Sequence, residues 1–162
     1  MKESIQLAIL LGRGERADVA IDELWRNAQS AVAQWNVPVV CVAGYAQLPH
    51  ANETLSHNSV KVVGLKIPAA GRLGVLVDTL AAKHGPVGIV GRLVQYNLAS
   101  RRVARALNAD GKLTDAFCNA DVIVAADPEA DRAVWGLRGK TEARLMHGPF
   151  AMANALTEVA KD

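Results

Sequence analysis

The chain has 162 residues, of which 51% are hydrophobic and 21% are charged. This balance is typical of a single globular domain and excludes a disordered or collagen-like chain. Eighteen Lys and Arg residues against sixteen Asp and Glu residues leave a net charge of only +2. No basic run or aromatic RNA-binding pattern accompanies that charge, so we expect no nucleic-acid partner.

The N-terminal segment and the cysteines indicate the compartment. The apolar run 5–11 is broken by Gly12 and Arg13 too early for an export signal. No run approaches the roughly eighteen apolar residues of a membrane span. Cys41 and Cys118 lie in apolar segments without CxxC spacing or a nearby histidine at ligand spacing. We interpret them as buried free thiols of a cytoplasmic protein that has no membrane partner.

Six short apolar runs predict strands, and their nearly continuous apolar character suits a parallel sheet that is covered on both faces. The runs are 5–11, 38–43, 60–67, 86–90, 121–126 and 143–146.

Helical patterns lie between these runs. Apolar residues spaced by three and four predict a first helix that begins near Asp18 as its N-cap, and a second over 73–81 that ends at a basic turn before Gly85 and Pro86. A third helix is expected over 99–107, a fourth begins at Asp127, and a fifth runs from Pro149 to about 160. Segment 46–59 lacks periodicity and is expected to hold a short helix or an open loop.

The alternation of strands and helices predicts a three-layer α/β domain over residues 1–162, with a mainly parallel sheet and helices on both faces. Residues 1–110 form one unit of this prediction, and residues 111–162 add strand, helix, strand and helix. The predicted core consists of Ile9, Leu11, Trp25, Val40, Val42, Val63, Leu65, Leu76, Leu80, Ile89, Val122 and Val124.

Ligands of an open parallel sheet bind beyond the carboxyl ends of the strands. Gly12 and Gly14 follow the first run, but Ala17 stands where a dinucleotide fingerprint has its third glycine, and no P-loop pattern is present. We therefore interpret the glycines as permitting a tight turn, and we expect no cofactor.

Arginines follow three of the predicted strands. Arg13, Arg16, Arg72 and Arg92 would bring guanidinium groups to one edge of the sheet, where they could recognise carboxylates or phosphates. This pattern predicts a site for a polyanionic small molecule; the alternative is that these are solvated loop arginines. On the third helix, Arg101, Arg102 and Arg105 form a basic face that is either solvated or an oligomer contact, and we favour solvation.

Four histidines, His50, His57, His84 and His147, show no short metal-ligand spacing. His84 lies in the last turn of a predicted helix, where its cation favours the helix dipole. His147 follows the sixth run directly before a helix, where an imidazole suits acid–base chemistry, metal ligation, or simple capping and packing.

Several segments together resemble the class II metal chelatases, the sirohydrochlorin cobaltochelatase and ferrochelatase family of cobalamin and sirohaem biosynthesis. Segment 8–15 (AILLGRGE) is similar to the family's opening strand and glycine turn, and segment 62–73 (VVGLKIPAAGRL) to its third strand and following turn. Pro49 and segment 87–107 extend the resemblance over residues 5–108. The resemblance implies a chelatase-like fold and a carboxylated tetrapyrrole as the polyanion.

The chain departs from this family at the residues that carry its chemistry. Arg13 and Leu73 stand where the family has two histidines, and Tyr45 stands where it has an acid. Arginine and leucine cannot hold a metal or accept a pyrrole proton. Glu15 and His147 are the remaining candidate ligands, and they fall short of paired histidines. We expect no metal site and no appreciable insertion of Co²⁺ or Fe²⁺, and the sequence leaves open whether other catalysis remains.

The resemblance implies that Arg13, Arg16, Arg72 and Arg92 hold acidic groups and that Tyr45 donates a hydrogen bond. Because a short chelatase-like unit makes half of a cleft, we expect a homodimer. Segments 120–127 and 143–148 also resemble the acceptor half of GT-B glycosyltransferases. A glycosyltransferase half and a non-catalytic interaction domain are therefore the alternative functions.

Overall fold

The computed structural model describes residues 3–47, 55, 57–68 and 71–162, apart from the side chain of Leu73. Within this part of the chain, five strands form an all-parallel sheet in the order β3-β2-β1-β4-β5. The strands are β1 (Ile5–Leu11), β2 (Val39–Gln47), β3 (Val60–Lys66), β4 (Val122–Ala125) and β5 (Arg144–His147). The predicted α/β class with a parallel sheet is confirmed.

Helices cover both faces of the sheet. They are α1 (Ala17–Val32), α2 (Arg72–Ala81), α3 (Pro86–Ala109), α4 (Gly111–Cys118), α5 (Pro128–Trp135) and α6 (Gly148–Lys161). Because side chains alternate along a strand, Leu7 and Ile9 of β1 pack in the core with α1 and α6, whereas Ala8 and Leu10 pack in the core with α3, α4 and α5. The three layers follow from this alternation.

Helix α1 shows how the local pattern predicts an element but not its cap. Ile21, Trp25 and Ala28 are buried on one face, as their spacing predicts. The helix begins at Ala17, and its N-cap is Arg16, whose φ of 56° is left-handed, and not Asp18 as expected. Asp18 instead lies in the first turn, where its charge favours the positive end of the helix dipole.

The predicted strand 86–90 is wrong, because these residues form the first turns of α3. Pro86 suits the first position of a helix as well as the start of a strand, and five apolar residues are too few to separate the two periodicities. The sequence pattern beyond residue 90 decides the matter, since Val87, Val90 and Val94 recur at helical spacing. The third predicted helix, over 99–107, is the second half of the same element.

The predicted core is confirmed where it lies on the sheet and on α1. Ile9, Leu11, Trp25, Leu65, Val122 and Val124 are buried, and Val42 and Val63 are partly buried. Four members are exposed, namely Val40, Leu76, Leu80 and Ile89. The last three lie on α2 and the first half of α3, which pack mainly against each other and leave their outer faces uncovered.

The remaining boundaries follow their sequence signals. Asp127 caps α5 as predicted, and α6 begins at Gly148, one residue before Pro149. Helix α4 has no counterpart among the predictions. Ala46 and Gln47 belong to β2, whereas residues 48–54 and 56 of the unassigned stretch lie outside the described residues. No helix in the described ranges has the length and apolarity that crossing a bilayer would need.

Helices α2 and α3 form a closely packed hairpin. A Cβ atom on Gly88 would lie 1.7 Å from the carbonyl oxygen of Lys83, and one on Gly91 would lie 2.5 Å from the backbone nitrogen of Ala81. Only glycine allows the two backbones to approach so closely. The second half of α3 then reaches the sheet, where Val103 and Leu107 are buried. The hairpin therefore forms a wall beside the carboxyl end of the sheet.

Candidate functional site

The carboxyl ends of β1 and β4 lie side by side, since Leu10 pairs with Ala125. Strand order reverses at this pair, because the chain continues from β1 toward β2 and from β4 toward β5. In open parallel sheets this switch point opens the crevice in which ligands bind. The turn after β1 and the N-terminus of α5 therefore border this crevice.

Asp127 joins these two segments. Its Oδ2 atom accepts hydrogen bonds from the backbone N–H of Gly12 at 2.8 Å and of Arg13 at 3.1 Å, and its Oδ1 atom accepts one from Ala130 at 3.0 Å. A Cβ atom on Gly12 would lie 2.5 Å from the Cβ atom of Glu129. The close approach of α5 thus requires glycine at position 12, whereas Gly12 does not use the conformational freedom expected of a tight turn, since the described glycines with positive φ are Gly85 and Gly148.

Arg13 extends from this turn toward α5. Its Nε atom donates a hydrogen bond to Oε1 of Glu129 at 3.0 Å. This hydrogen bond and the charge of Glu129 raise the pKa of Arg13 above its ordinary value, and the charges of Asp127 and Glu15 act in the same direction. The Arg13 side chain is 66% exposed, so the other N–H groups of its guanidinium remain available to a ligand.

A cavity of about 460 Å³ lies between this turn, α5 and the α2–α3 hairpin. Its polar lining consists of Arg13, Asp78, Arg92, Gln95, Tyr96, Arg102 and Glu129. Three guanidinium groups face two carboxylates there. The described lining therefore carries a net positive charge, which favours an anionic ligand.

Contacts within the protein engage the acidic groups of this cavity. Asp78 accepts a hydrogen bond from Nε2 of Gln95 at 2.8 Å, and Glu129 is paired with Arg13. The Tyr96 hydroxyl donates to the carbonyl oxygen of Pro128 at 2.6 Å, which ties α3 to α5. Arg92 makes only a 3.4 Å contact to the carbonyl oxygen of Ala81, and no described side chain pairs with Arg102. The arginines are thus the groups with spare hydrogen-bonding capacity.

Two of the four predicted arginines meet in this cavity. Arg13 comes from the strand end, as expected, whereas Arg92 comes from α3. Arg16 and Arg72 are exposed at the starts of α1 and α2 and are not among the described lining residues. Glu15 is also exposed and lies outside the lining, although its charge acts on Arg13.

Tyr45 and His147 lie away from the cavity. Tyr45 is inside β2 and not beyond it, is 4% exposed, and belongs to the core on the α1 face of the sheet. Its hydroxyl accepts a hydrogen bond from the backbone N–H of Leu55 at 3.4 Å. His147 ends β5, and its Nδ1 atom lies 2.6 Å from Oδ1 of Asp131. This hydrogen bond joins β5 to α5 on the surface.

Sequence inspection did not assign Tyr96, Gln95, Arg102, Asp78 or Glu129 to a site. The signal that could have found three of them is helical spacing: Arg92, Gln95, Tyr96, Ala99 and Arg102 recur at intervals of three and four. Because residues 86–90 were interpreted as a strand, the predicted helix covered only 99–107 and did not include Arg92, Gln95 and Tyr96.

Metal ligation finds no support among the described residues, since no group of three His, Cys, Asp or Glu side chains there could hold an ion. His50 lies outside the described part of the chain. Cys41 and Cys118 are both free thiols, the first buried and the second partly buried.

Comparison with known proteins adds no family. No protein-family model matches the sequence, and no curated protein matches it significantly.

Proposed function

We propose that this protein binds a small molecule with two or more anionic groups, phosphates or carboxylates, in the cavity beside the switch point. The observation that carries the proposal is the convergence of Arg13, Arg92 and Arg102 on one cavity of about 460 Å³. Guanidinium groups recognise phosphate and carboxylate through paired N–H donors. The two carboxylates in the lining already have partners, so they oppose an incoming anion less than free acids would.

The size and place of the cavity narrow the ligand class. Its volume falls in the range of roughly 300–1,000 Å³ that is common for small-molecule sites. The strand order 3-2-1-4-5 supports a phosphorylated ligand, because this order binds nucleotides at its switch point in other α/β domains. Here the backbone N–H groups of Gly12 and Arg13 in the β1 turn already donate to the carboxylate of Asp127. The arginines, and not the turn, would therefore hold the phosphates.

The two resemblances give two versions of this ligand. A carboxylated tetrapyrrole follows from the chelatase resemblance, with metal insertion lost. A nucleotide sugar follows from the resemblance to half of a GT-B glycosyltransferase, which would need a second domain from elsewhere. The strand order favours the second version, and the placement of Tyr45 in the core gives the first version one donor fewer.

Thermal shift and calorimetry with three probes test the proposal: sirohydrochlorin, UDP-glucose and inorganic pyrophosphate. We expect at least one probe to raise the melting temperature, and we expect Arg102→Ala to weaken its binding about tenfold, which is about 1.4 kcal/mol. Arg101→Ala is the matched control, because Arg101 is exposed on the same helix and does not line the described cavity.

The outcomes separate the versions. Binding of UDP-glucose or pyrophosphate identifies a phosphate site, whereas binding of sirohydrochlorin alone identifies a carboxylate site. Failure of all three probes, or equal losses in Arg102→Ala and Arg101→Ala, would show that the cavity is not the site and would favour an interaction domain.

The proposal also includes a cytoplasmic homodimer. The two free thiols agree with a reducing compartment. The exposed apolar residues of the α2–α3 hairpin support self-association.

A further inference from the structure

The α2–α3 hairpin carries an apolar groove that shares only Val77 with the described lining of the cavity. The groove has a volume of about 320 Å³ and is lined by Val77, Leu80, Val87, Val90, Gly91 and Val94 together with Pro86. None of these residues has a charged or hydrogen-bonding side chain. The exposed apolar residues of the same helix pair include Ile89 and Leu93, and the exposed Lys83 and His84 lie in the turn that joins the two helices.

The exposed area is large for a monomer. Eight aliphatic side chains of the hairpin are each between 41% and 63% exposed. With roughly 150–200 Å² of accessible surface for each whole residue, they expose about 700 Å² in total over the two helices, whereas the largest contiguous apolar patch on a typical monomer is roughly 300–600 Å². One partner contributes about 800 Å² to a standard protein interface. The hairpin thus offers nearly the area that a stable dimer needs.

The chemistry of the groove favours a protein helix over a lipid surface. Helices that lie on membranes combine Trp, Phe or Leu on one face with many Lys and Arg residues on the other. The first half of α3 has the aliphatic side chains Val87, Ile89, Val90, Leu93 and Val94, and Arg92 is its single cation, so it lacks the many cations of a membrane-surface helix. Branched aliphatic side chains of this kind fill the interfaces between packed helices.

The described lining of the groove carries no charged side chain that would oppose a second copy of the chain. A two-fold interface brings the same patch of both copies together, so a charged patch would repel itself. The groove has no charge to repel. We propose that two copies pair through their α2–α3 hairpins and form a four-helix contact centred on Val90. This inference specifies the homodimer proposed above, and its test involves no ligand, so it can fail separately from the binding proposal.

The contact would also brace the anion cavity. Val77 lines both the groove and the cavity, and Arg92 and Gln95 lie on the cavity side of the same helix pair. A partner that covers the groove would hold the wall that carries Arg92 in place.

Sedimentation equilibrium at micromolar concentrations tests the inference. We expect the wild type to have twice the chain mass of 17.2 kDa. We expect Val90→Glu to sediment as a monomer with an unchanged circular dichroism spectrum, because Val90 is 60% exposed. Phe150→Glu is the matched control: Phe150 is 86% exposed on α6, away from the hairpin, and this variant should remain a dimer.

Other results would overturn the inference. A monomeric wild type at every concentration excludes the dimer, and a Val90→Glu variant that stays dimeric places the interface elsewhere. If Val90→Glu loses its fold, the more conservative Val87→Ser should still weaken the dimer at least tenfold; if it does not, the groove is not the interface. Co-sedimentation of a monomeric wild type with phosphatidylcholine–phosphatidylglycerol vesicles would identify a lipid-binding face instead.

Discussion

Asp127 occupies the groups that many α/β proteins offer to a phosphate. Amides of the turn after the first strand and of a helix N-terminus commonly bind such an anion. Here the carboxylate accepts the N–H groups of Gly12, Arg13 and Ala130. The Asp127 carboxylate therefore fixes the turn in place of a bound phosphate. The side chains of Arg13, Arg92 and Arg102 remain available to an anionic ligand.

Replacement of Asp127 by alanine should destabilise the protein strongly. The change removes the cap of α5 and leaves two N–H groups of the β1 turn without their acceptor, so we expect the free energy of unfolding to fall by about 2–4 kcal/mol. Urea denaturation measures it. Asp110→Ala is the control, since Asp110 caps α4 through Leu113 alone. That variant should lose only about 1 kcal/mol, and equal losses would contradict a role for Asp127 beyond capping.

Helix α3 serves two layers of the molecule. Its first half packs against α2 and lines the cavity, and its second half packs on the sheet through Val103 and Leu107. The positions of the α3 side chains that face the cavity therefore depend on how the second half of the helix packs on the sheet. Gly88 and Gly91 set the spacing to α2.

Gly91→Ala should separate the two helices of the hairpin. Alanine is intrinsically better than glycine inside a helix, by about 1 kcal/mol. Its Cβ atom would nevertheless meet backbone atoms of Leu80 and Ala81 at 2.5–2.8 Å, so we expect a net loss of about 1–3 kcal/mol in unfolding free energy. Gly111→Ala in α4 is the control, because its Cβ atom meets nothing within 4 Å. A stabilised Gly91→Ala variant would mean that the hairpin is loosely packed.

At the scale of the whole molecule, the sheet excludes water from its centre. Cys41 lies on β2 between β1 and β3 and is 2% exposed. Burial raises the pKa of its thiol from an ordinary value of 9.0 to about 12. The native state therefore keeps a proton that the unfolded chain releases above pH 9.

This difference predicts a loss of stability in base. Between about pH 9 and 12 the native state binds more protons than the unfolded state, so stability is fully present below this range and falls as the pH rises. Relative to Cys41→Ala, we expect the wild type to lose about 1.4 kcal/mol for each pH unit within it. Urea denaturation at pH 8, 9, 10 and 11 measures the difference between the two proteins. A difference that stays constant would show that the thiol ionises freely in the native state.

Local sequence patterns determined much of this fold. Alternation of apolar runs and helical spacing identified all five strands, although β2 continues to Gln47, beyond its predicted end at residue 43. Polar or proline signals marked the end of α2 and the starts of α5 and α6. These signals are local, because they reflect side-chain periodicity and the hydrogen bonds of a single helix end. Arg13 could be assigned to the carboxyl edge for the same reason, since it directly follows a strand.

Only the tertiary structure decided what meets at that edge. A five-residue apolar run fits a strand or a helix, and packing of α3 against α2 and α5 made 86–90 helical. The hydrogen bonds between Asp127 and the β1 turn join residues 114 and 115 positions apart, and Arg102 reaches the cavity from the middle of a helix. Strand order and helix packing bring these groups together, and both depend on long-range burial of apolar surface, which the local pattern of one segment does not contain.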